Sequence, residues 1–141
     1  MISFVYDSSG LSIKYSNWDA AEPDNAYGEQ NCAAIIGSDG NWFDKNCTDM
    51  SINIVCEDLQ EDLPFWSPCQ EGWDLIHKKC YRFIDQTLKF GTAASMCRAL
   101  GGQMFEPTYE LQEQKVREFY SKKYQQYAIW IGITDKTKEG R

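Results

Sequence analysis

Apolar residues fall along this chain in several distinct rhythms, and each rhythm predicts an element. Ile2 to Tyr6 and Ile13 to Trp18 read as strands around an Asp7-Ser8-Ser9-Gly10 turn. Ala33 to Ile36 is a short apolar run that suits a buried strand, and Ser38-Asp39-Gly40 reads as a turn. Ile52-Asn53-Ile54-Val55-Cys56 alternates as a strand does. The pattern then breaks. Glu57-Asp58-Leu59-Gln60-Glu61-Asp62 is acidic and aperiodic, Pro64 and Pro68 follow, and residues 57–68 read as a linker. Beyond it, Gly72-Trp73 reads as a turn and Cys80-Tyr81-Arg82-Phe83 as a strand. Phe90, Ala93, Ala94, Cys97 and Leu100 recur at helical spacing, and Gly101-Gly102 stops that helix. The pattern predicts a second helix from Pro107 to Lys122. Thr108 is its N-cap, Glu110 lies in its first turn, and Leu111, Val116 and Phe119 form a less regular apolar face. Ala128 to Ile133 is a continuous apolar strand.

Composition narrows the class. A chain of 141 residues suits one domain, and 14% aromatic residues supply bulk for a core. Net charge is -7, which makes a nucleic-acid backbone a poor partner. The longest apolar runs are far short of the roughly 18 residues that span a bilayer. Met1-Ile2-Ser3-Phe4 lacks the basic start and apolar centre of a signal peptide, so a secreted protein would be met here in mature or recombinant form. Six cysteines without a close C-x-x-C pair suggest three disulfides and an extracellular, oxidising compartment. Sequence alone leaves every connectivity open. Local closure suggests Cys32 with Cys47 and Cys69 with Cys80, which leaves Cys56 with Cys97.

The chemistry concentrates between Glu22 and Cys47. Glu22, Asp24, Asn25, Glu29, Gln30, Asn31 and Asp44 crowd both sides of a loop that Cys32 and Cys47 could staple. Carboxylates and amide carbonyls are what calcium takes, in shells of about six to eight oxygens. The same residue types around Pro and Gly also suit an ordinary solvated loop. Zinc prefers Cys or His, and His77 is the lone histidine, read here as a surface residue. No Ser/His/Asp set, H-E-x-x-H motif or phosphate loop is present, which argues against an enzyme. Trp18, Trp42, Trp73 and Trp130 are expected in the core, with Trp66 in the linker.

The order of these residues resembles the distal half of a C-type lectin-like domain: Glu22-Pro23-Asp24, then Gly28-Glu29, Cys32, Trp42-Phe43-Asp44 and Cys47. Residues 69–141 resemble the front half of the same family: Cys69, Gly72-Trp73, Cys80-Tyr81, Phe90, Ala94, Cys97 and Trp130-Ile131-Gly132-Ile133, with Phe90 where the family usually has Trp. Reading Arg141 into Met1 restores the family's order. The chain therefore reads as one domain, with residues 1–56 as distal half, 57–68 as linker and 69–141 as proximal half. A circular permutant is the favoured reading. The other is a tandem-repeat fragment that would complete itself as a domain-swapped dimer. The resemblance implies an α+β fold with two helices flanking small antiparallel sheets, a long ligand loop and the same three disulfides, Cys69–Cys80 being the extra bridge of the long form.

The resemblance also implies a ligand set. In sugar-binding members one calcium ion is gripped by the Glu-Pro-Asn pair, a downstream Glu, and the Asn and Asp of Trp-Asn-Asp, which also bind two sugar hydroxyls. The matching positions are Glu22, Asp24, Gln30 and Asp44, with Glu29 beside Gln30 as a substitute and Pro23 as the family's cis proline. A second calcium site would use Asp135 and Glu139 with Asn25, Gln30 and Asn31. This chain departs from the pattern where amides should donate. Phe43 stands for the Asn of Trp-Asn-Asp, and Asp24 for the Asn of Glu-Pro-Asn; a carboxylate only accepts, and a phenyl ring has no oxygen. The expected protein is an extracellular module for calcium-linked recognition of a glycan or glycoprotein at Glu22, Asp24, Glu29 and Asp44. The alternative is a lectin-like module that binds a protein or other surface without sugar.

Overall fold

A computed structural model describes residues 4–23, 31–37, 39–59, 69–123 and 127–135. In chain order its elements are β1 (Val5–Tyr6), β2 (Cys32–Ile36), β3 (Trp42–Lys45), β4 (Asn53–Asp58), β5 (Asp74–Ile76), β6 (Lys79–Ile84), α1 (Phe90–Ala99), β7 (Gly102–Met104), α2 (Glu110–Ser121) and β8 (Ala128–Thr134). The strands join in the order β3-β2-β8-β4-β6-β5, with β1 on β8 and β7 on β4. All pairings among them are antiparallel except β4 with β8, so the sheet is mixed. The two halves of the sequence interlock at that parallel pair, where β4 of the first half lies between β8 and β6 of the second.

Alternation of side chains sorts the core into two layers. Ile129, Ile131 and Ile133 of β8, Ala33 and Ile35 of β2 and Val55 of β4 pack with Val116 and Tyr120 of α2. Their neighbours Trp130, Ala34, Ile54 and Cys56 pack with Phe90, Ala93, Ala94 and Cys97 of α1. A helix thus covers each face, which is why β8 reads as one unbroken apolar run. Three disulfides, Cys32–Cys47, Cys56–Cys97 and Cys69–Cys80, tie the layers. This is the α+β, C-type lectin-like arrangement that the sequence implies. Trp42 and Trp130 are fully buried, Trp73 is buried, and Trp18 packs against the core.

Several local expectations differ. Ile13 to Trp18 forms no strand; the segment has only an isolated bridge at Trp18, with another at Ser12 just before it, and the Lys14 N–H donates to the Tyr6 hydroxyl at 2.9 Å. β4 runs on through Glu57 and Asp58, so the strand extends into the acidic run read as linker; residues 60–68, Trp66 among them, lie outside the described residues. Thr108 caps no helix: α2 starts at Glu110 behind Tyr109, and the Thr108 N–H and hydroxyl donate instead to Gln112 Oε1. The helix is also rotated from its predicted face. Gln112, Glu113, Val116 and Tyr120 are buried while Leu111 and Phe119 are exposed, because Gln112 finds a buried partner in the Tyr81 hydroxyl. The β5–β6 hairpin turns through His77 and Lys78 at positive φ (49° and 75°), without the Asn-Gly or Asp-Gly signature that marks such turns in sequence.

Candidate functional site

The site is built where the chain before β2 meets β3. The Asp44 N–H donates to Glu22 Oε1 at 3.3 Å, which brings those two residues together. Asp44 is 2% exposed and lies on the Trp42 side of β3, while Phe43 points to the other face and is half-buried. The approach to Glu22 is held by a ladder of short bonds. The Asp19 N–H donates to the Trp42 carbonyl at 3.0 Å, the Glu22 N–H to the Asp19 carbonyl at 2.8 Å, and Asn41 Nδ2 to Asp19 Oδ1 at 3.0 Å. The Glu22–Pro23 peptide is cis. Asp24, Asn25, Glu29 and Gln30 lie outside the described residues, as does Glu139.

Of the second set, Asn31 and Asp135 are described, and their backbones meet. The Asp135 N–H donates to the Asn31 carbonyl at 2.9 Å where β8 ends, beside the Cys32–Thr134 pair of the sheet. Asp135 is 1% exposed, and the buried Asn31 Oδ1 has no hydrogen-bond partner among the described residues. Amide and carboxylate oxygens are the kind of ligand a hard cation takes. Glu22 and Asp44 likewise offer carboxylates, whereas Phe43 offers none of the oxygen that the family position supplies. Among the described residues no three acidic, His or Cys side chains cluster as a metal site. The residues present fit calcium in part, with Glu22, Asp44, Asn31 and Asp135 as the described donors.

Three buried acids, Glu57, Glu106 and Glu113, were not legible as such. Glu57 is 3% exposed and faces a cleft of about 500 Å³ with Lys79, Gln103 and Glu106. Burial pushes its carboxyl up to about 7, against the pull of Lys79 at 3.5 Å, of Gln103 Nε2 at 2.7 Å and of the Glu106 N–H at 3.2 Å. Burial likewise raises Glu106. The signal for Glu57 was its place two residues after Val55, on the same strand face. Glu113 is 1% exposed on α2, three residues before the buried Val116, and burial pushes it up to about 7 despite Arg117.

Several known proteins are similar to this chain in sequence. C-type mannose receptor 2 of Mus musculus is 27% identical over 143 residues, covering 91% of this chain and 9% of the receptor. Human lymphocyte antigen 75 is 28% identical over 134 residues, covering 91% of this chain and 7% of its own length. The mannose-binding protein of Gallus gallus is 41% identical over 54 residues, 38% of this chain. No protein-family model matches the chain, and no solved structure matches it. The chain spans less than a tenth of the length of these two receptors. The chain is thus similar over most of its length to C-type lectin-like domain proteins, and its two helices, mixed sheet and three disulfides are consistent with their α+β fold. Its homologues are receptors and binding proteins, and with the three disulfides they are consistent with an extracellular location. No helix among the described residues is long and apolar enough to cross a membrane.

Proposed function

We propose that this domain recognises a glycan through a calcium-linked site at Glu22, Asp24 and Asp44, with Glu29 or Gln30 completing the shell. The observation that carries the reading is the Asp44-to-Glu22 contact, which joins the two ends of the sequence motif in space. Glu22, Asp24 and Asp44 supply three carboxylates to one ion, and Asn31, Asp135, Asn25, Gln30 and Glu139 supply a second, weaker site. Calcium, when bound, supplies a positive centre that polarises ligand hydroxyls. The protein's part is to hold the carboxylates that accept from those hydroxyls. With Phe43 and Asp24 at the amide positions, few N–H donors remain, so the ligand differs from a simple mannose. Calorimetric titration of the apo protein with calcium tests the site. Saturable binding that Glu22→Gln weakens supports it, and a flat isotherm at neutral pH contradicts it.

The second reading is recognition of a protein surface without sugar. It is favoured by Phe43, a half-buried ring where the sugar-binding pattern has an amide.

The order of the halves also fits a junction between neighbouring lectin-like domains, beside the circular-permutant reading. The support is the run of the matches. Each long receptor aligns with 91% of this chain in one stretch, so it carries distal-half sequence followed by proximal-half sequence. The mannose-binding protein aligns with only 38%.

A further inference from the structure

Helix α2 buries a charged pair that the candidate site does not use. Arg117 Nε lies 3.6 Å from Glu113 Oε2, one turn apart, with side chains 16% and 1% exposed. Neither Glu113 Oε2 nor Arg117 Nε and Nη1 has a hydrogen-bond partner among the described residues, and the same holds for Trp42 Nε1 and the Tyr127 hydroxyl. Tyr127, just before β8, and Tyr15 both feel the two charges, and the Tyr15 ring meets Trp42 edge-on at 5.6 Å. Glu110 is the remaining acid that acts on Glu113. The groups facing Glu113 are thus Arg117 and Glu110 from its own helix, Tyr15 from the chain before Trp18, and Tyr127.

Arg117 reaches beyond this pocket. Its guanidinium sits on Gly40, where a Cβ would fall 2.6 Å from Nη1 and 2.8 Å from Cζ. Gly40 also has φ +80°, which favours glycine there, and any side chain at this position would have to displace the guanidinium. From Gly40, bonds lead to the site. Asn17 Nδ2 donates to the Gly40 carbonyl at 2.9 Å and the Trp42 N–H to the Asn17 carbonyl at 2.8 Å. Asn41 then holds Asp19, Asp19 holds the Glu22 N–H, and Glu22 accepts from Asp44.

We propose that Glu113 and Arg117 form a pH-sensitive latch by which α2 sets the Gly40–Asp44 segment, and through it the Glu22 carboxylate. When Glu113 is ionised, the pair holds the guanidinium against Gly40. When Glu113 takes up a proton, Arg117 keeps its charge, loses its counter-charge and gains by moving toward solvent. The plate on which Gly40 rests then shifts. Burial places that protonation near neutrality, at about 7. The latch is a property of α2 and the Gly40 segment; only its consequence for a ligand rests on the calcium-linked reading.

The test is an amide chemical-shift titration of the whole chain in chelator, between about pH 5 and pH 8.5, a window that brackets a perturbed carboxyl. The Gly40, Asn41 and Asp44 amides should share one midpoint near the value for Glu113. Glu113→Gln should abolish that midpoint, and Glu57→Gln, which removes the other acid raised to about 7, should leave it. Flat titrations at the three amides, a midpoint that survives Glu113→Gln, or one that vanishes in Glu57→Gln would overturn the latch. Should Glu113→Gln fail to fold, the carboxyl carbon of Glu113 in the unaltered chain decides: it must titrate with the Gly40 amide. Calcium calorimetry on the same samples separates the two ideas. A shared midpoint without calcium binding at any pH leaves the latch standing and removes the calcium reading.

Discussion

Glu22 and Asp44, 22 residues apart in sequence, are joined by a backbone N–H that donates to a carboxylate oxygen at 3.3 Å. The bond gives Glu22 a structural task beside the ligand task proposed for it. The two tasks separate by substitution. Glu22→Gln keeps an acceptor for the Asp44 N–H but removes the charge, so calcium affinity should fall about tenfold or more while the melting temperature stays within a few degrees. Glu22→Ala removes the acceptor for the Asp44 N–H as well, which should lower stability by about 1 kcal/mol. Calorimetry and thermal melts check both. Equal calcium affinity in the Gln variant would remove Glu22 from the metal shell.

Donor loss predicts a rescue. Phe43→Asn restores an oxygen and an N–H group on β3, and Asp24→Asn restores the second amide. Each regained charge-assisted hydrogen bond contributes roughly 1.5–3 kcal/mol. The double variant should bind a mannose column in calcium and leave it in chelator, while the parent binds weakly. A folded, calcium-loaded double variant that ignores mannose would contradict the donor argument.

Glu57 makes stability depend on pH. Its carboxyl is raised from 4.5 to about 7 by burial, so the folded state holds a proton that the unfolded state has released across that window. Stability from this group is therefore fully present below the lower value, is lost as pH rises through the folded value, and is flat above it. The whole effect is of the order of 3 kcal/mol. Glu57→Gln should flatten the fall in melting temperature between the two values, with Glu113 contributing a slope of the same sign. An unchanged slope in the Glu57→Gln variant would contradict the assignment.

Much of the architecture could be read from residue pattern alone. The continuous run of β8 and the spacing of Phe90, Ala93, Ala94 and Cys97 mark elements whose buried faces are purely apolar. What escaped was burial of polar groups. Gln112, Glu113 and Glu57 look like solvent-facing residues in sequence, and only the positions of Tyr81, Arg117 and Gln103 explain why each is inside. β3 escaped for a related reason: Trp42-Phe43-Asp44 was read for ligand chemistry, and Asp44 in fact occupies a buried strand position. The pairing of Glu22 with Asp44 was legible through the family resemblance, whereas the ladder through Asp19 and Asn41 was not, because it combines backbone bonds with one side-chain bond between residues 22 apart.

The halves of the chain are held by one cross-link of special weight. Cys56–Cys97 joins β4 to α1 over a sequence separation of 41, a loop for which the chain-entropy model gives about 4 kcal/mol. Replacing both cysteines by serine should cost about that much in denaturant melts, and non-reducing mass mapping should find the bridge within one chain. Placing residues 69–141 ahead of residues 1–56 should give a fold at least as stable as the present order if the present order is a domain junction. A marked loss of stability on reordering would contradict the junction reading.

Glycan-array binding in calcium and then in chelator tests the central claim most directly. The account predicts retention of a subset of glycans in calcium, loss of that signal in chelator, and loss of the same signal in the Glu22→Gln variant. Glycan binding that persists unchanged in chelator, or no glycan bound by a calcium-loaded protein, would contradict it.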